Sequence, residues 1–211
     1  MQSSGNMFAT IAALALWSTL AGYTAVAQSR PPASELVQKL QSDKTTDNAR
    51  RQLLQLGKSD PDVRPYLAAQ LVPMIDLGPK SCPPSQIEDL VDRWHSCPWY
   101  NAVELAGKLK ISETAPSLGR WINWRSEGPL STSMEAQLIF YPAAKALYEI
   151  GDPAIPILQR VLSSGNPGEH ARAVRVLCII HTPKAKTVLQ ENLPHETDPA
   201  VQTMIKNVLR E

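Results

Sequence analysis

The run from Ala143 to Gly165 leaves this chain few folds to choose from. Ala143, Ala144, Leu147 and Ile150 recur at helical spacing, Gly151-Asp152-Pro153 interrupts them, and Leu158 and Leu162 resume the apolar stripe. Glycine takes the left-handed conformation that closes a helix, aspartate caps the next one, and proline fits a first turn whose amides have no intrahelical acceptor. The stretch therefore reads as two short helices joined at a tight corner, and weaker copies of it lie on both sides.

Taken in order, the mature part begins with an irregular Arg30–Pro32 and a short helix capped by Ser34 and ending at Leu40. A first pair uses Asp47–Leu56, closed by Gly57, and a partner from Asp60-Pro61 through Leu67 and Leu71 towards Ile75, which Pro73 ends or kinks. A second pair starts at Asn101 as cap, runs through Val103, Leu105 and Leu109, and turns at 111–114 into Ala115, Leu118, Trp121 and Ile122. A polar loop over Arg125–Thr132 leads to the third pair, where Pro142 is expected to kink the first helix. The fourth pair places Ala171, Val174, Leu177 and Ile180 before Thr182-Pro183 and Leu189 and Leu193 after it, and a terminal helix follows Asp198-Pro199.

The second helices share one frame: Pro65-x-Leu67-x-x-x-Leu71, Pro116-x-Leu118-x-x-x-Ile122 and Pro156-x-Leu158-x-x-x-Leu162, with Thr187 standing where the fourth copy would carry proline. The spacing between copies shrinks along the chain, as divergent repeats do, and no strand-like alternation competes. The segment Ala-Leu-Tyr-Glu-Ile-Gly-Asp-Pro-Ala-Ile-Pro-Ile-Leu within 143–162 resembles the HEAT-like repeats described from phycobilisome-lyase proteins. Residues 171–193 resemble them less closely, because His181-Thr182 replaces Gly-Asp, and 47–75 and 101–122 more loosely. The resemblance implies an all-α fold, a short α-α superhelix or solenoid of about four divergent HEAT-like pairs, with the second helices lining the concave side.

Two segments stand outside the repeats. Met7–Ala27 carries no charge and ends in Ala25-Val26-Ala27, an export-cleavage pattern that places the mature start near Gln28; the amino-terminal region lacks the usual Lys or Arg. The run is also long enough to span a bilayer, so an uncleaved membrane anchor is the alternative. The domain expectation is a signal segment at 1–27 and a repeat domain at 28–211, with an insertion at 77–100. There Cys82 and Cys97 bracket Ser85–His95, where Ser85 and Glu88 form a capping box ahead of Ile87, Leu90, Val91 and Trp94. A disulfide between them fits an exported chain; two free thiols, or a metal held with His95, are the other readings, the last weakened by poor spacing and the lack of a fourth ligand. Cys178, inside an apolar run, reads as core.

Nothing in the chain marks catalysis. A formal charge of +1 with dispersed Lys and Arg does not suit a nucleic-acid binder. There is no nucleophile elbow, metalloprotease helix, phosphate loop or redox Cys pair, and His95, His170, His181 and His195, the last beside Glu196 in a loop, have ordinary readings with no nucleophile or orienting carboxylate identifiable for them. Glu88, Asp89 and Asp92 read as a solvated helix face. No catalytic, cofactor or metal residue is nominated. The surface candidates are aromatic and basic: Trp99 beside the cysteine bracket, and Arg120, Trp124 and Arg125 on the second pair's second helix, in company with Trp94 and Trp121, which fit the apolar stripes. The expected function is an exported, periplasmic or secreted scaffold for a protein or peptide, with no enzymatic activity. A chromophore-attachment enzyme of lyase type and a membrane-anchored structural module of the envelope are the alternatives.

Overall fold

In a computed structural model, residues 32–41, 46–82, 97–126, 133–163 and 166–210 are described, and among them every regular element is helical. In chain order the α-helices are α1 Ala33–Lys39, α2 Thr46–Ser59, α3 Arg64–Asp76, α4 Pro98–Lys108, α5 Ala115–Arg120 and α6 Met134–Leu138. There follow α7 Pro142–Ile150, α8 Ile155–Leu162, α9 Pro167–Ile180, α10 Pro183–Asn192 and α11 Pro199–Arg210. The expected cysteine-bracketed helix, with Trp94, His95 and the acidic group at 88–92, lies outside the described residues, as do residues 1–27.

The shared proline frame has a local cause. Short 3-10 turns at Pro61–Val63, Ser112–Thr114 and Asp152–Ala154 lead into α3, α5 and α8, each of which carries its proline in the first helical turn. There the missing amide costs no hydrogen bond and the fixed φ favours the helix. Gly151 sits at φ +77°, where an L side chain would be strained, so the corner after α7 needs glycine. At the corresponding corner after α9, His181 takes the left-handed conformation at φ 53° instead. Thr182 then caps α10 through its Oγ1, 3.3 Å from the Ala185 amide, and donates to Asp152 Oδ1 of the preceding corner at 2.6 Å.

Packing follows two parallel series. The first helices touch one another in succession, α2 with α4, α4 with α7, α7 with α9 and α9 with α11. The second helices do the same, α3 with α5, α5 with α8 and α8 with α10, while α3–α4, α5–α7 and α8–α9 contacts join the two series. Between them lies one continuous apolar core that includes Leu53, Leu67, Leu71, Leu105, Leu118, Ile122, Leu147, Leu158, Leu177, Leu189 and Ile205. At roughly 25 cal/mol per Å2 of apolar surface, this burial is the dominant stabilising contribution.

Several local expectations change. Pro142 does not kink a helix; it opens α7, and α6 ends at Leu138. A proline there has no amide to give to the Leu138 carbonyl and pushes the preceding Tyr141 towards extended backbone (φ −127°, ψ 75°), so the helix breaks rather than bends. Helix α3 runs past Pro73 to Asp76. Asn101 lies inside α4 rather than capping it: the cap is Cys97, whose Sγ accepts from the Tyr100 amide at 3.3 Å, and Asn101 Nδ2 donates to the Cys97 carbonyl at 2.9 Å. Gly57 is within α2, where Leu109 of the next pair packs so close that a Cβ would lie 2.6 Å from its Cδ1.

Candidate partner-binding site

The surface candidates from the sequence separate into different environments. Helix α5 stops at Arg120, and Trp121–Asn123 form a turn, so Trp124 and Arg125 follow the helix instead of lying on it. Two contacts explain the departure. The Trp121 ring covers Gly78, where an added Cβ would lie 2.3 Å from Cζ2, and the Ser126 amide donates to the Phe140 carbonyl at 2.8 Å. The chain after α5 is thereby drawn towards the segment ahead of α7.

Trp99 is fully buried, which removes it from any partner surface. Its ring forms the inner half of a T-shaped pair with half-buried Trp124, the centroids 4.9 Å apart at 74°. It lies on the buried side of the first turn of α4, the helix that Cys97 caps. Arg120 is exposed, and its Nη1 lies 3.1 Å from Asp76 Oδ1, an ion pair between two adjacent second helices, α5 and α3. Arg125, the next residue after Trp124, is exposed.

A cluster that sequence reasoning missed lies beside this segment. Arg172 projects from α9 over the Tyr141 ring, its Cζ 3.2 Å from the centroid, and is only 8% exposed. One turn further along α9, Arg175 Nη1 donates to Gln137 Oε1 of α6. Nε and Nη1 of Arg172 and Nε of Arg175 are buried without a hydrogen-bond partner. Burial pulls the Arg172 guanidinium down to about 10; Tyr141 opposes the shift, while Arg175 and Arg125 add to it by like-charge repulsion. The missed signal was available: Ala171-Arg-Ala-Val-Arg puts two arginines one turn apart in the otherwise apolar run 171–180.

The other polar groups serve the framework. Cys82 and Cys97 form a disulfide with Cα atoms 4.7 Å apart. Cys178 is a buried free thiol. His170 places Nδ1 3.0 Å from the Leu162 carbonyl and Nε2 2.6 Å from Glu196 Oε2, so both ring nitrogens face oxygen atoms of the chain. His181 and His195 are exposed. Among the described residues no group of three His, Cys, Asp or Glu side chains is placed to hold a metal ion. Among them, too, no helix is long and apolar enough to cross a membrane.

A sequence model of the PBS lyase HEAT-like repeat matches residues 143–164, which span α7, the Gly-Asp-Pro corner and α8. No curated protein matches the chain. The crystal structure of an engineered protein is 19% identical, with 85% of this chain and 96% of that chain covered, at a TM-score of 0.29.

Proposed function

We propose that this is an exported, non-enzymatic α-α superhelix of about four divergent pairs that presents its second-helix side, with the adjoining Trp124–Arg125 segment, to a protein or peptide partner. The observation that carries the reading is the contact order: first helices meet first helices and second helices meet second helices along the chain. Such stacking leaves one side of every second helix free to line an extended surface. Its exposed positions are mixed in charge and hydrogen-bonding capacity, with Arg120, Gln159, Arg160, Lys184 and Glu191 among them. The disulfide favours an oxidising compartment and therefore export, in keeping with the Ala-x-Ala pattern at 25–27.

Affinity capture of the processed chain from its native envelope, followed by mass spectrometry, tests the proposal. A reproducible partner that is lost in the Arg120→Glu/Arg125→Glu double variant supports it; capture unchanged by that variant rejects the assigned surface. Recovery of a tightly or covalently bound pigment would favour the lyase-type alternative that the name of the matching repeat suggests. Sequencing the mature amino terminus checks processing, with a start near Gln28 expected and a retained Met1 arguing for the anchor.

A further inference from the structure

We propose that the Cys82–Cys97 disulfide is a redox-sensitive staple for residues 121–126: when oxidised it holds this segment in the shape the partner meets, and when reduced by a dithiol it lets the segment loosen. The inference rests on the partner-binding reading of Trp124 and Arg125 and adds its control. Two aromatic side chains of the segment lie on the two arms of the disulfide. The Trp121 ring covers Gly78, where an added Cβ would lie 2.3 Å from Cζ2. Gly78 opens the 3-10 turn Pro79–Ser81, which closes on Cys82: the Ser81 hydroxyl donates to the Gly78 carbonyl at 2.7 Å and the Cys82 amide to the Pro79 carbonyl at 3.1 Å. Trp124 packs on Trp99, two residues after Cys97, in the first turn of α4. One covalent bond therefore joins the two surfaces on which the segment rests.

The segment has left α5 and is held by turn and loop bonds, from the Trp124 amide to the Trp121 carbonyl at 2.9 Å and from the Ser126 amide to the Phe140 carbonyl at 2.8 Å. Residues 77–82 likewise lie beyond the end of α3, and the disulfide and the packing of the 3-10 turn attach them to α4. Helices α3 and α4 also pack on each other directly, so they stay docked when the bond opens and the loosening is local. A dithiol enters at Cys82, which is half-buried, because Cys97 is fully buried. Its thiolate attacks Cys82 Sγ and displaces the Cys97 thiolate, which leaves with the electron pair at the start of α4, where the Tyr100 amide already points at Sγ from 3.3 Å. A helix amino terminus favours a thiolate, so Cys97 is the better leaving group. The second thiol of the reductant then displaces Cys82 and closes the reductant's own disulfide. Two electrons and two protons pass to the chain, and both cysteines end as thiols.

The test is heteronuclear NMR relaxation on the full processed chain without a partner, first oxidised and then reduced with dithiothreitol. Backbone order parameters over 122–126 should stand near about 0.85 in the oxidised chain and fall below about 0.6 on reduction, while those of α8 and α10 stay unchanged. Cross-relaxation between the Trp99 and Trp124 rings should be lost in the same step. The Cys82→Ser/Cys97→Ser variant should match the reduced chain with no reductant present. Order parameters and ring contact that survive reduction overturn the proposal. So does loss of order throughout α8 and α10, which would make the cross-link a support of the whole fold, or a double variant that keeps the segment ordered. No partner enters this measurement, so its failure rejects the staple alone, whereas capture unchanged by the Arg120→Glu/Arg125→Glu variant rejects the partner surface.

Discussion

Glu196 holds His170 at the junction of the last helices: Oε2 lies 2.6 Å from His170 Nε2, while Oε1 accepts the Thr197 and Asp198 amides at 2.8 and 2.9 Å. One buried carboxylate thus ties the start of α9 to the turn that launches α11. Replacing Glu196 with alanine strands three donors at once, and the expected loss is about 2–4 kcal/mol of unfolding free energy. Hydrogen exchange should show α11 amides opening before those of α7. Uniform exchange across both helices would refute this local role.

Gly107 sits where α4 crosses α7. A Cβ there would come within 2.8 Å of the Ala146 Cα and 2.6 Å of Glu149 Oε2, so the obstacle includes backbone and cannot rotate away. Gly107→Ala gains about 1 kcal/mol in helix propensity but overpacks the crossing at a cost of roughly 1–3 kcal/mol. The variant should therefore be neutral to about 2 kcal/mol less stable in urea unfolding, whereas the same exchange on an unobstructed helix would stabilise.

Trp99 and Arg120, both nominated as partner contacts from sequence, should respond oppositely to alanine. Trp99 is fully buried against Trp124, and its truncation should cost about 3–5 kcal/mol. Arg120 makes an exposed pair with Asp76, so Arg120→Ala should change stability by about 1 kcal/mol or less. Thermal unfolding of the two variants decides between a core and a surface assignment for each.

The contrast shows where sequence reading ends. Helices, corners and the repeated proline frame are local: Pro65, Pro116 and Pro156 act within one turn of themselves, so their effect is legible from neighbours in the chain. The match over 143–164 extends that legibility to one repeat. The disulfide was legible for a similar reason, as the cysteines bracket one insertion. The Arg172–Tyr141 stack and the Arg175–Gln137 bond were not, because α6, α7 and α9 meet only in the folded chain. Trp99 misled because an aromatic beside a loop has the same sequence appearance whether it points in or out. Likewise, the periodicity through Trp121 continues past the point where the backbone leaves the helix to pair Ser126 with Phe140.

Cys82 and Cys97 are 15 residues apart, and closing a loop of that length restricts the unfolded chain by about 3 kcal/mol in the chain-entropy treatment. Cys97 also caps α4, so a single Cys97→Ala would confound two effects. The Cys82→Ser/Cys97→Ser pair retains a capping oxygen and isolates the cross-link. It should unfold about 3 kcal/mol more easily than the oxidised parent and match the reduced parent. Non-reducing peptide mapping should recover the Cys82–Cys97 linkage directly.

Cys178 supplies a pH test of the core around α9. Burial pushes its thiol up from 9.0 to about 12, with Arg175 opposing. A folded pKa above the unfolded one means the unfolded chain releases its proton first as pH rises. The associated stability is complete below about pH 9 and is lost progressively towards about pH 12, at roughly 1.4 kcal/mol per unit. Other groups titrate in the same range, so the informative quantity is the difference from a Cys178→Ala variant. Between about pH 8 and about pH 10.5, the parent should lose about 2 kcal/mol more than the variant in urea unfolding. Parallel losses would show that the thiol ionises as readily in the folded chain as in the unfolded one. Native alkylation checks the same environment independently: near pH 8 the thiolate is scarce and covered, so Cys178 should react only as the chain unfolds.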